Sequence, residues 1–496
     1  MPQVEAAVRA QAPPVPAFAR GPVIAAMAIL AAILSASSQL YGFHRDELYF
    51  RMLDPAWGYV DQPPLTPLLA RLITGVVDEP WALRIPATLS AVAAVLVLAL
   101  VTREVGGGRR AQALSAWAAV TASFPLVFGH VLLSASVDLV VWPLVCLFTV
   151  RAILRTDPRW WLVAGLVIGL STYTKLLVGM LVLGFMVGVL VFGPWRILRS
   201  GLLWVAVAVA LVVAAPNLLY QAITGWPQLE MGAALGAANG GEVRPMVLPF
   251  LFLLLGPPLV AIWVTGIVSL LRRPAWRDLR FLTVALGVVV AATIAGGAQF
   301  YYPLGLLSVL MAIGCVPVAD WMVSRSRTVI VWAAVAVNGV VSALIALPLA
   351  PLAALGATPV PAINQVVGDT VGWPTYVEQI ATVVRESGAE PVVVTSNYGE
   401  AGAIDRYGPD AGIDDAVYSG HNALWERARP PDDAAAAVFV GDIGPAVRSA
   451  FDSCDQRATL DNGVDVDNEE QGVPIWLCTG MRASWAQLWP RLAHLD

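Results

Sequence analysis

At 496 residues, with 58% hydrophobic and only 13% charged residues and a mean hydropathy of +0.70, the chain has too little polar surface for a water-soluble protein of its length. The composition predicts a polytopic membrane protein. The net charge of −5 carries little information because the charges are unevenly placed, and nothing in the sequence points to a nucleic-acid partner.

The first 21 residues read as a Pro/Ala-rich arm without a cleavable signal peptide, and the run from Pro22 to Leu40 is long enough to cross a bilayer. Further apolar stretches follow at 82–102, 110–129, 138–155, 160–174, 176–193, 201–219, 246–270, 281–297, 302–322 and 328–350. The sequence thus predicts eleven spans within 22–352. The two that meet at Lys175, the only lysine in the chain, read equally as one long or one broken span.

Arginine placement sets the orientation. Arg20, Arg103–Arg110, Arg151–Arg159, Arg196–Arg199, Arg272–Arg280 and Arg325–Arg327 fall in alternate connections. The connections around Ser134–Asp138 and Gly296–Tyr302 carry none, and 220–245 has only Arg244. The positive-inside bias then puts the N-terminus in the cytoplasm. The first outer loop, 42–81, breaks the pattern: Arg45, Arg51 and Arg71 lie in it and Arg84 just beyond, as though kept for a ligand. An odd number of spans leaves the C-terminal region outside.

From about residue 357 acids rise and apolar runs shorten. Short β-rich segments at 391–396, 436–441 and 473–478 alternate with helical patterns such as 375–387, predicting a small extracytoplasmic α/β domain over 357–496. Cys146 and Cys315 lie in apolar spans as packing residues. Cys454 and Cys478 are a plausible disulfide in an oxidising compartment, closing a loop of about 25 residues for roughly 3 kcal/mol. The final SWAQLWPRLA stretch is aromatic and amphipathic, able to dock on the domain or rest on the bilayer. No internal repeat, Walker A, GxGxxG, CxxC or HExxH pattern is visible, so a nucleotide sugar is disfavoured and no cofactor or divalent metal is supported.

Four clusters fall on one membrane face in this topology. Asp46-Glu47 follow span 1; Asp138 begins span 4; Lys175 sits between spans 5 and 6; Gln299, Tyr301 and Tyr302 open span 10. Singly, each has a structural explanation: Asp138 as a first-turn helix acid, the tyrosines as interfacial belt residues, Lys175 as a snorkelling side chain. Their convergence favours a shared outer-leaflet site. Transfer from a lipid phosphate suits it, since a carboxylate takes the acceptor proton while cations hold the leaving phosphate.

The segment HRDELYF, followed by GYVDQPPLTPLLARL, resembles the first outer loop of glycosyltransferase family 39, which includes protein O-mannosyltransferases and lipid A aminoarabinose transferases. The family's Asp-Glu pair is matched by Asp46-Glu47 and its Asp-x-Pro-Pro-Leu segment by Asp61–Leu65. Further matches are Asp138, Thr174-Lys175, Tyr301-Tyr302 and the LRIP segment at Leu83–Pro86. The resemblance covers roughly 20–325, and the tail is similar to those of actinobacterial members. Two departures stand out: Gln62 where the family often has histidine, and Gln299 where many relatives have lysine.

The resemblance implies a GT-C membrane fold. It also implies an inverting transferase that moves a sugar from a polyprenyl-phosphate donor to an extracytoplasmic protein, glycan or lipid. Asp46 is then the expected base, with Glu47 beside it. Lys175, Arg45 and Arg84 would hold the donor phosphate; Asp61, Asp138, Gln299, Tyr301 and Tyr302 would line the pocket. Tyr398, Glu400, His421 and Asn422 read as turn and cap residues somewhat better than as an acceptor cleft. The alternative is a lipid-linked sugar flippase, which predicts repeated halves and polar groups near midplane.

Overall fold

The structure is a computed structural model that describes residues 13–388 and 390–495. Residues 1–12 of the N-terminal arm, Arg9 among them, lie outside this range. Among the described residues six helices are long and apolar enough to cross a bilayer: Arg20–Ser37, Pro80–Glu104, Gly201–Ile223, Pro274–Gly296, Leu304–Trp321 and Arg325–Ala346. Two bent pairs, Arg109–Val120 with Ser123–His130 (58°) and Gly240–Leu253 with Pro257–Arg272 (69°), raise the number to eight if each is one span.

The remaining expected spans form shorter helices, Asp138–Leu154, Arg159–Ser171 and Val178–Phe192, of 17, 13 and 15 residues. A straight crossing needs about 20. Between the last two the chain turns over 172–177, so Lys175 sits in a break and not within one long helix.

Both bends free backbone carbonyls that lipid cannot satisfy. Asn338, buried in the Arg325–Ala346 span, serves both: its Nδ2 donates to the carbonyls of Thr121 (2.7 Å) and Leu255 (2.9 Å). The helix Leu304–Trp321 forms the centre of the bundle, with most of its side chains buried. It packs on Val260–Arg272 through Gly266 and Gly314, where an added Cβ would come within 2.2 Å and 1.9 Å of a facing carbonyl oxygen. Small residues let these backbones approach.

The C-terminal region carries one five-stranded sheet, β1 (Val392–Thr395), β2 (Val417–Ser419), β3 (Ala436–Val440), β4 (Phe451–Thr459) and β5 (Pro474–Met481), in the order β2-β1-β3-β5-β4. β1 runs parallel to β2 and β3, while β5 is antiparallel to β3 and β4. Cys454 and Cys478 face each other across β4 and β5 and are joined in a disulfide. The closing aromatic stretch docks on this unit, with Trp485, Leu488 and Trp489 buried in its core.

Ion pairs tie the α/β unit to the first outer loop. Arg51 meets Asp78 at 2.9 Å and Asp405 at 2.7 Å, and Arg406 reaches Asp78 at 3.2 Å. The first-loop helix Arg45–Met52 and the helix Tyr398–Ala411 share one buried apolar cluster.

Candidate active site

The helix Arg45–Met52 starts in a reciprocal cap. The His44 ring accepts from the Asp46 amide (3.1 Å), and Glu47 accepts from the His44 amide (2.8 Å). This leaves the Asp46 carboxylate in the first turn, pointing into a cavity of about 310 Å³. Asp61 lines the same cavity, its two oxygens accepting from the Tyr49 hydroxyl (3.1 Å) and Gln62 Nε2 (3.1 Å). Burial raises the Asp61 carboxyl to about 7; the Asp46 charge pushes the same way, against the hydrogen bonds from Tyr49 and Gln62.

The opposite wall is cationic and phenolic. Lys175 Nζ lies 3.3 Å from the Tyr301 hydroxyl and 3.5 Å from Ser134 Oγ. It also sits over the Tyr301 and Tyr302 rings, 5.4 Å and 5.5 Å from their centroids. Gln299, Tyr301 and Tyr302 line the cavity with it, and among the described residues Lys175 is the only lysine or arginine in the lining. The helix Pro227–Ala238 supplies a further wall through Gln228, Leu229, Met231, Gly232 and Leu235.

Asp138 opens a smaller adjoining cavity of about 20 Å³ that shares Leu177, Tyr301 and Tyr302 with the larger one. Both its carboxylate oxygens are buried without a hydrogen-bond partner among the described residues. Such a group calls for a polar visitor, and the space admits one water or hydroxyl.

Three expected site residues stand elsewhere. Glu47 and Arg84 are fully buried and paired with each other, Nε to Oε1 and Nη2 to Oε2, both at 3.0 Å. Arg84 further donates to the carbonyls of Ser38 and Gly42, and Glu47 accepts from the Leu132 amide, so both are spent on joining the first loop to the bundle. Arg45 is buried against Glu469. Arg51 pairs with Asp78 and Asp405, and Arg71 with Asp54. The arginines that break the positive-inside pattern therefore answer carboxylates of the loop and the α/β unit, and none lines the cavity.

The α/β unit divides as cap and site. Glu400 completes a reciprocal cap with Asn397, as a turn residue should. Burial raises its carboxyl to about 8, with Glu470 adding to the effect. Tyr398 and Asn422, by contrast, line the cavity, and the Tyr398 hydroxyl donates to Asp46 Oδ1 at 2.9 Å. His421 accepts the Tyr398 amide through Nδ1 (3.2 Å). Tyr49, Ser134 and Gln228 are cavity residues that sequence reasoning missed; the Trp-Pro opening of the helix Pro227–Ala238 was the available signal for the last. Among the described residues no group of three His, Cys, Asp or Glu side chains is placed to hold a metal ion.

Residues 61–220, about a third of the chain, match the family model of dolichyl-phosphate-mannose-protein mannosyltransferase. No curated protein sequence matches. The fold is similar to that of ArnT from Cupriavidus metallidurans in the apo state, with a TM-score of 0.60 and 15% identity over 93% of this chain and 98% of that one. The same protein bound to undecaprenyl phosphate superposes with a TM-score of 0.60 and 16% identity over 92% and 97% of the two chains.

Proposed function

We propose that this chain, a multi-pass membrane protein of the GT-C fold whose residues 61–220 are of the dolichyl-phosphate-mannose-protein mannosyltransferase family, is an inverting glycosyltransferase with a polyprenyl-phosphate-linked sugar as donor. It acts outside the cytoplasmic membrane. Its N-terminus is inside, the transferase domain spans 22–352, and the α/β domain from about 357 onward is outside. The observation that carries this reading is the gathering of Asp46 and Asp61, both from the loop 42–81, and the distant Lys175 around one cavity.

The chemistry follows from the two walls. Asp46 takes the proton of the acceptor hydroxyl, whose oxygen forms the new bond to the anomeric carbon. The bond from that carbon to the phosphate oxygen breaks, and its electron pair leaves with polyprenyl phosphate. Lys175 meets the charge that builds there, joined by the Tyr301 hydroxyl. Asp61, protonated or ionised near neutral pH, binds acceptor or sugar hydroxyls, and Asp138 receives one hydroxyl in the side cavity.

The test is transfer from radiolabelled undecaprenyl-phosphate mannose to the host's envelope fraction, by membranes carrying wild type or Asp46→Asn. The expected loss in the variant is about 100-fold or more. Undiminished transfer by the variant removes Asp46 as base. Sugar-lipid translocation without transfer by the wild type makes the chain a flippase instead.

A further inference from the structure

We infer that the α/β domain completes the active site, with Tyr398 as a positioning residue for Asp46. The inference rests on Asp46 being the base and adds a second part of the chain to its function.

Two phenols hold the two cavity carboxylates in matching fashion. Tyr49, on the base's own helix, donates to Asp61 Oδ1; Tyr398, from the α/β domain, donates to Asp46 Oδ1. Their rings lie 4.7 Å apart, tilted by 34°, so neither hydroxyl moves without the other ring giving way. Tyr398 is fixed from three sides. Its amide is held by His421, its ring carries the Arg45 guanidinium 4.8 Å from the centroid, and its helix presses directly on the helix of the base. At Gly402 a Cβ would lie 2.6 Å from the Leu48 carbonyl carbon, a distance that leaves room for glycine alone.

With Oδ1 occupied, the Asp46 carboxylate presents Oδ2 to the cavity, where the acceptor hydroxyl must arrive. The charge-assisted hydrogen bond from the phenol holds the carboxylate in one orientation toward that hydroxyl. The other charged or titratable groups around Asp46 are His44 and Arg45 at the start of its helix, Asp61 and Tyr49 beside it, and Lys175, Tyr301 and Tyr302 across the cavity. Among the described residues the hydrogen bond to Asp46 Oδ1 comes from the Tyr398 phenol.

The test compares Tyr398→Phe, which keeps the ring contacts and loses only the hydroxyl, with Tyr376→Phe. Tyr376 is the control because its hydroxyl donates to Asn468 within the same domain and does not line the cavity. In the full-length protein, with undecaprenyl-phosphate mannose as donor, Tyr398→Phe is expected to lower kcat about 10- to 100-fold with little change in the donor KM. Tyr376→Phe leaves kcat and the donor KM at wild-type values. Gly402→Val, which separates the two helices, lowers kcat as Tyr398→Phe does, while undecaprenyl phosphate binding persists.

Wild-type kcat in Tyr398→Phe overturns the positioning role, as does an equal fall of kcat in Tyr376→Phe or a loss carried wholly by the donor KM. If Asp46→Asn is inactive and Tyr398→Phe is indistinguishable from wild type, only this inference falls. If Asp46→Asn is fully active, the base assignment falls with it.

Discussion

Arg84 and Glu47 form a two-pronged ion pair, both prongs at 3.0 Å, with 1% and 0% of the side chains exposed. Removing one partner leaves the other charged and buried, which costs about 3–5 kcal/mol. Arg84→Met is therefore expected to melt early in detergent, while any folded fraction binds undecaprenyl phosphate like wild type. The double variant Arg84→Met with Glu47→Leu recovers part of the loss, because no orphan charge remains. A stable Arg84→Met protein that had lost only lipid-phosphate binding would return Arg84 to the donor site.

Lys175 is the lone cation of the cavity lining, half-buried between two tyrosine rings and beside Ser134. Lys175→Met is expected to weaken undecaprenyl phosphate binding by about tenfold or more, since a charge-assisted contact is worth about 1.5–3 kcal/mol. Lys175→Arg recovers little, because a planar fork does not fit where a point charge meets one hydroxyl and two ring faces. Tyr301→Phe costs less, about two- to tenfold, because the cation stays and only one hydroxyl is lost. Scintillation-proximity binding with labelled lipid ranks the three; wild-type affinity in Lys175→Met would move the phosphate elsewhere.

Glu400 and Glu470 stand near each other in the α/β domain, raised by burial to about 8 and about 7 from an ordinary 4.5. Each binds its proton more tightly in the folded than in the unfolded chain. The stability they lend is complete below about pH 4.5 and is lost as the pH rises through about 7 and 8. Each group loses up to about 1.4 kcal/mol per pH unit across that range. The melting temperature should fall toward alkaline pH, and Glu400→Gln, whose neutral side chain has no proton to give up, should flatten the fall. Parallel curves for the two proteins would show that Glu400 does not titrate there.

How much of this was legible depended on which physical force left a mark in the sequence. Burial did: the apolar runs gave the membrane helices, and 391–396, 436–441 and 473–478 became β1, β3 and β5. β4 escaped because FDSCDQRAT is an edge strand with most side chains exposed, so no apolar alternation marks it, and β2 is only three residues long. Asp46, Asp61, Lys175, Gln299, Tyr301 and Tyr302 share a cavity because polar groups beside apolar spans are costly and stand out. The arginines misled for the same reason. Their exceptional placement was visible, but the carboxylates that Arg45 and Arg51 meet in the α/β unit, Glu469 and Asp405, lie hundreds of residues away, and nothing in the sequence tells a loop acid that pairs with Arg71 or Arg84 from one that faces a ligand. Tyr398 was ambiguous because a residue next to a helix cap looks the same whether or not it reaches across to another domain.

The Cys454–Cys478 bridge tests the topology as well as the fold. It ties edge strand β4 to β5, with Cys478 buried and the two residues 24 apart in sequence. Replacing both by serine is expected to destabilise the α/β domain by about 2–4 kcal/mol. At low temperature transfer survives, since neither residue lines the cavity. In membranes from growing cells, alkylation under denaturing conditions should modify Cys146 and Cys315, and Cys454 and Cys478 only after reduction. Such a bridge persists where the surroundings are oxidising. If all four thiols react without reductant, the domain faces the cytoplasm. The proposed outward placement of the cavity then fails with it, because the loop 42–81 and the α/β domain are locked together through Arg51 and Asp405.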